Sequence, residues 1–305
     1  MTWFLLALIG PFLYAITNFI DKVLLEKYFK EGGVGTLLIV SGVLSIIALP
    51  FLFIIDPTPF QVSPPHILAL ASVGVLNVLL LFFYLKALKG DEVSVSIIFY
   101  QLVPVFAYGL GFFILGETLT TVQLIAMAII ILGTSIVAFE IDQESKFQLR
   151  TKTILYMTAA AFSWALGSVI FKAVALEESV VRSLFWEHLI LTIIGLGLLV
   201  FVKTYRHHFV TAMRENSKAI LSLNVLNEVL YMLGNIAFAF AYLLAPIALV
   251  LLANSYQLIF VLVIGVLLTL FFPHILKEKV HVRTIWQKVF AILVTALGTY
   301  LLLMG

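Results

Sequence analysis

The 305-residue sequence contains no cysteine. That absence excludes disulfides, thiolate nucleophiles and Cys-based metal sites, and it leaves the redox compartment unread. Charge is also scarce. Charged residues make up 11% of the chain and hydrophobic ones 63%, whereas a soluble domain carries about 25% charged residues. An ordinary soluble fold is therefore excluded in favour of a polytopic membrane protein. The net charge of +2 is too small to argue for nucleic acid, and the basic residues lie in loops instead of forming one patch. Residues 1–21 hold no Lys or Arg and no small-residue cleavage site, so they lack a signal peptide's positive n-region. The expectation is a retained first helix.

Long uncharged runs are abundant. A spanning helix needs about 20 mostly apolar residues, and such runs fall at 3–20, 34–55, 67–85, 93–116, 121–139, 153–171 and, interrupted by Glu187-His188, 183–202. Residues 229–273 contain no Asp, Glu, Lys or Arg, a length of about two crossings. The split is placed at Ala245-Pro246, since proline suits a helix's first turn. A last run covers 284–304. The expected fold is an all-α integral membrane protein of ten transmembrane helices, five on each side of a polar linker at 140–152.

The two halves repeat. Tyr100-Gln101-Leu102 and Tyr256-Gln257-Leu258 align at one offset together with Val105 and Val261, and Gly109 and Gly265. Phe12-Leu13-Tyr14-Ala15 and Lys22 align with Phe162-Ser163-Trp164-Ala165 and Lys172, and Val75-Leu76-Asn77 with Val225-Leu226-Asn227. Thr120 to Gln123 and Thr284 to Gln287 both read as capping boxes. Gly116-Glu117-Thr118 closes one central run and Lys277-Glu278-Lys279 the other. An odd number of helices per unit inverts the second copy in the membrane, which is a transporter architecture. The expected units are residues 2–140 and 151–304. Sixteen of the 18 Lys and Arg residues fall in or beside the odd-numbered loops, leaving Lys172 and Arg182 on the other side. By the positive-inside rule both termini are expected on the non-cytoplasmic face of a cell (inner or plasma) membrane.

The sequence resembles the drug/metabolite transporter superfamily, specifically its EamA-like ten-helix members. The resemblance rests on Leu102-Val103-Pro104, on Leu115-Gly116-Glu117-Thr118-Leu119-Thr120 followed by Gln123 and Gly133, and on the run from Tyr14 to Lys22. It implies a secondary carrier with a central cavity between the first four helices of each half, the fifth and tenth packing outside. The second half departs from the pattern, with Phe260 in place of the proline and Phe-Phe-Pro-His stretching the closure before Lys277-Glu278.

Ionisable groups at membrane depth cost about 2.5–3.5 kcal/mol each on insertion scales, so they need a reason. Three acids qualify: Asp21, Glu187 and Glu228. Asn224, Glu228, Tyr231 and Asn235 recur at helical spacing and are expected to line a cavity. No Lys or Arg shares the predicted depth of Glu228, and a carboxyl so placed can load and release a proton; Glu228 and Glu187 are the expected proton-coupling residues. The alternatives are a carboxyl bonded to a neighbouring helix and, for Glu187-His188, an interfacial cluster with Arg182 and Trp186. Tyr14, Asn18 and Asp21 share one helix face, with Trp164 in the matching region of the second half. Together with Asn77, Gln101, Asn254 and Gln257 they supply aromatic and amide groups suited to a small, partly apolar solute; polar groups of this kind also serve as interhelical glue. Lys22 and Lys172 read as snorkelling anchors.

No catalytic constellation, metal-ligand set or cofactor motif is expected. The reading is a secondary transporter of small organic solutes, amino acids or related metabolites, by export, with alternating access and proton coupling. Its partners are the small-molecule substrate and the lipid bilayer, in a monomer or homodimer. The alternatives are a passive channel and an intramembrane enzyme acting on lipids; the latter lacks a His-Glu-x-x-His or aspartate-rich cluster.

Overall fold

The computed structural model describes residues 2–29, 33–90, 96, 98–138, 151–271 and 282–304. Among these the secondary structure is helical throughout. Lipid offers no hydrogen bonds, so each apolar run satisfies its peptide groups within its own helix. The helices are α1 (Thr2–Val23), α2 (Gly33–Leu44), α3 (Ala48–Ile55), α4 (Pro64–Gly90), α5 (Leu102–Leu115) and α6 (Thr121–Ala138). They continue with α7 (Thr151–Glu177), α8 (Val180–Phe201), α9 (Lys203–Tyr242), α10 (Ile247–Leu252), α11 (Gln257–Phe271) and α12 (Val282–Met304). Seven continuous segments are long and apolar enough to cross a membrane: Thr2–Tyr28, Gly33–Ile55, Pro64–Lys89, Thr151–Glu177, Val180–Phe201, Lys203–Tyr242 and Ile247–Leu268. The other three expected spans are shorter apolar helices, at Phe99–Leu115, Thr121–Ser135 and Phe290–Met304.

The split at Ala245-Pro246 matches a helix boundary, Pro246 serving as the residue just before α10. The basic stretch expected to be a loop before the eighth span is helical instead. It forms the first part of α9, which breaks at Asn216 (φ −142°, ψ 40°) before the apolar part begins. The expected linker and the Lys277-Glu278-Lys279 closure lie at or beyond the edges of the described residues.

Within the repeated stretch, each half contains a short 3₁₀ turn, Ile98–Gln101 and Ala253–Tyr256, running directly into α5 and α11. A 3₁₀ turn inside a span marks a local change of register. Pro104 consequently sits in the first turn of α5, where its missing N–H leaves no internal bond broken, and not in the interior of a continuous helix.

Packing is paired across the halves. Helix α4 lies against α7 as α1 lies against α9, α5 lies on α7 as α11 lies on α1, and α4 meets α8 as α2 meets α9. Helices α2 and α8 cross in backbone contact, since a Cβ on Gly42 would stand 2.7 Å from the Cα of Gly195. By contrast, Gly109 and Gly197 have open space beside them. Helices α6 and α12 pack on each other, and the Thr120/Gln123 capping box forms at the start of α6, with reciprocal bonds of 3.0 and 3.2 Å.

Candidate functional site

A cavity of about 140 Å³ lies among α1, α2, α4, α7, α8 and α9, completed by Tyr100 and Gln257. Neither α6 nor α12 contributes a lining residue among those described. Three acids face it from three helices: Asp21 on α1, Glu187 on α8 and Glu228 on α9. They are 7%, 3% and 5% exposed, so each needs local donors to offset its burial.

Those donors are present. Glu228 accepts hydrogen bonds from the Ser41 and Ser45 hydroxyls, both at 2.9 Å. These serines face α9 because they are one turn apart along the second span. Glu187 Oε1 accepts from Asn77 Nδ2 at 2.6 Å and Asn235 Nδ2 at 3.3 Å. Asp21 Oδ1 accepts from Asn227 Nδ2 at 2.8 Å. Each carboxylate is thus held by neutral groups from other helices, and among the described residues no Lys, Arg or His lines the cavity.

Aromatic rings form much of the remaining wall. Tyr14 stacks on Tyr231 (5.6 Å between centroids) and on Phe238 (5.8 Å), and meets Trp164 edge-on at 6.0 Å. Trp164 in turn meets Tyr100 at 5.1 Å, and Tyr100 stacks on Tyr84 at 6.1 Å. The Tyr84 hydroxyl donates to Asn18 Oδ1 at 3.0 Å.

Of the residues singled out in the sequence, the structure brings Tyr14, Asn18, Asn77, Trp164, Glu187, Glu228, Tyr231, Asn235 and Gln257 to this cavity. Three others do not line it. Asn224 is one turn from Glu228 and spends its amide on the Ile220 carbonyl of its own helix, at 2.7 Å. Gln101 and Asn254 are buried but lie in the 3₁₀ turns, where the tighter winding alters which side chain faces inward. The repeated triplet is therefore used unequally: Tyr100 lines the cavity in the first half and Gln257 in the second, while Tyr256 bonds Thr299 on α12.

The cluster expected around Glu187-His188 is absent. Arg182 and Trp186 turn to the segment between α3 and α4, where Arg182 bonds Asp56 and Thr58 and Trp186 Nε1 donates to the Pro59 carbonyl. His188 is fully buried off the cavity.

The snorkelling role expected of Lys172 is also overturned. Its side chain is 6% exposed and its Nζ lies 2.5 Å from Glu117 and 2.7 Å from the Ala245 carbonyl. Glu117 is aimed there by Gly116, whose φ of +67° suits glycine, and whose turn lets the Glu117 amide bond the Gly111 carbonyl. The same carboxylate accepts the Ile247 N–H at 2.7 Å. Lys22 takes a similar place at the end of α1, donating to the Leu88 carbonyl at 3.1 Å.

Sequence reasoning passed over Ser41, Ser45, Tyr84 and Tyr242 as cavity residues. A polar residue in an apolar run was the only signal for the serines. Asn227 carried a better one, because it is the repeat partner of Asn77.

Comparison with known families and structures agrees with this architecture. Residues 1–139 match the model of the EamA-like transporter family, the family that the sequence resembles. No curated protein matches the sequence. Among solved structures, one described as a crystal structure of a protein is similar over 99% of this chain and 97% of that chain, with a TM-score of 0.64 and 13% identity. At that identity the likeness is one of fold. The protein is a multi-pass helical membrane protein.

Proposed function

We propose that the protein is a secondary transporter that carries small organic solutes, of the size of amino acids and related metabolites, by alternating access across a cell membrane. The observation carrying this reading is the cavity among the apolar helices on which three carboxyls from α1, α8 and α9 converge. Intramembrane ionisable groups of this kind mark substrate and proton pathways.

In this reading the chain is two inverted five-helix units, residues 2–140 and 151–304, with all ten apolar helices crossing and both termini on the non-cytoplasmic side. The paired packing and the two 3₁₀ turns support the repeat. The substrate binds among Tyr14, Asn18, Trp164 and Tyr231, and the direction is export. Glu228 and Glu187 load protons from one side and release them when the cavity opens to the other, with Ser41 and Ser45 holding Glu228 in either state.

The test uses purified protein in liposomes with a panel of labelled amino acids and amines. Wild type shows saturable counterflow, and an imposed pH gradient drives accumulation. Glu228→Gln keeps the counterflow and loses the gradient-driven accumulation. Accumulation by Glu228→Gln equal to wild type would remove Glu228 from coupling, and flux without counterflow would replace the carrier by a channel.

A further inference from the structure

The charge of the cavity lining is one-sided. Asp21, Glu187 and Glu228 all face the cavity, and none of its lining residues among those described is a Lys, Arg or His. The two nearest helix-end lysines are directed elsewhere: Lys22 to the Leu88 carbonyl and Glu26, and Lys172 to the Ala245 carbonyl and Glu117. A solute carboxylate entering here meets three acids and no fixed positive charge.

Three lining residues carry a buried polar atom without a partner among the described residues, the Asn18 amide nitrogen and two carbonyl oxygens, and the two oxygens give a second, independent indication. The side-chain carbonyls of Gln257 and Asn227 have no hydrogen-bond partner among the described residues, although these residues are only 3% and 9% exposed. Asn227 commits its amide to Asp21, which leaves its oxygen as an acceptor. A buried acceptor without a donor is costly, and both residues line the cavity. An ammonium group has three N–H donors and no acceptor, which complements carboxylates and orphan carbonyls together. The stacked rings of Tyr14 and Tyr231 and the edge-on Trp164 offer π faces that attract a cation and cover an apolar body.

We propose that the cargo is an organic cation, an amine with an apolar or aromatic body and no carboxylate, seated with its ammonium among Asp21, Glu187, Glu228 and the carbonyls of Asn227 and Gln257. This rests on the carrier reading for its transport role, but its test reads equilibrium binding and so stands apart from that reading.

The experiment uses the full chain in detergent and three probes of one shape and different charge: 2-phenylethylamine, phenylalanine and 3-phenylpropionate. Binding is followed by calorimetry. The amine binds at least about tenfold more tightly than phenylalanine, the order of effect that a charge-assisted contact provides, and 3-phenylpropionate does not bind. Glu187→Gln weakens the amine by about tenfold and leaves the affinity for the neutral analogue 2-phenylethanol unchanged. Phenylalanine or 3-phenylpropionate binding as well as the amine overturns the proposal, as does failure of 2-phenylethylamine, putrescine and tetraphenylphosphonium all to bind. Amine binding without counterflow in liposomes upholds the cation site and removes the carrier reading; counterflow of phenylalanine without amine binding does the reverse.

Discussion

Two ionic junctions lie within six residues of each other near the end of α7, and they are built differently. At Lys172 the ammonium and the Glu117 carboxylate are 6% and 19% exposed, and the carboxylate also takes the first amide of α10. Around Glu178 and Arg182 no side chain is as deeply buried as Lys172: His66, Glu178, Arg182 and Asp56 are 25%, 14%, 24% and 21% exposed. His66 stands 2.7 Å from Glu178, Ser63 N–H donates to the same carboxylate at 3.0 Å, and Arg182 reaches Asp56 at 2.9 Å. The first junction ties α5, α7 and α10 together away from water. The second fastens a loop over the turn between α7 and α8. Burial of the cation separates their energetics: breaking a pair built on a buried lysine strands a charge, whereas a partly exposed pair trades one partly solvated arrangement for another.

The largest effect that the comparison predicts is at Lys172. Replacing it with Met leaves Glu117 uncompensated and destabilises the fold by about 3 kcal/mol, read as a lower midpoint in denaturant titration in detergent. Adding Glu117→Gln to that variant restores most of the loss. A double variant no more stable than Lys172→Met would show that the lysine acts through its contact with Ala245 and not through charge.

A smaller effect follows at the open junction. Arg182→Met removes bonds to Asp56, Thr58 and the Gln61 carbonyl and costs about 1 kcal/mol or less, with strong salt dependence of the wild-type value. A cost equal to that of Lys172→Met would erase the distinction between the junctions.

The smallest is a pH effect at the same place. Asp56 is held below its ordinary carboxylate range by the Thr58 hydroxyl and amide and by Arg182, and Glu178 by the Ser63 amide and His66. A depressed folded-state pKa contributes stability that is present above the unfolded value and lost as pH falls through the folded one. Melting temperature in detergent therefore drops on acidification below the ordinary carboxylate range. In an Asp56→Asn, Glu178→Gln double variant, part of that drop disappears. An identical acid profile in wild type and variant would assign the acid sensitivity to other groups.

Much of the fold was legible because hydropathy reports directly on lipid. The uncharged runs and the boundary at Pro246 follow from local pattern. The cavity was legible in part: Glu228, Tyr231 and Asn235 share a helical face, as do Tyr14 and Asn18, and an amphipathic stripe points one way wherever its helix is placed. The misses have physical causes. Gln101 and Asn254 fail to reach the cavity because the 3₁₀ turns change the winding that a 3.6-residue period assumes. Asn224 spends its amide on the Ile220 carbonyl of its own helix, a bond that a spacing argument does not read. Lys172 was misread because its partner, Glu117, is 55 residues earlier in the chain and is delivered by a left-handed glycine.

By itself the sequence determined that this chain lives in lipid and which residues are too polar to sit there without cause, since each of these is a local free energy of transfer. Only the tertiary structure decided which polar groups meet. It joined Ser41 and Ser45 to Glu228, Asn77 and Asn235 to Glu187, and Glu117 to Lys172, because helix crossing and depth set those encounters, and neither is written in any single segment.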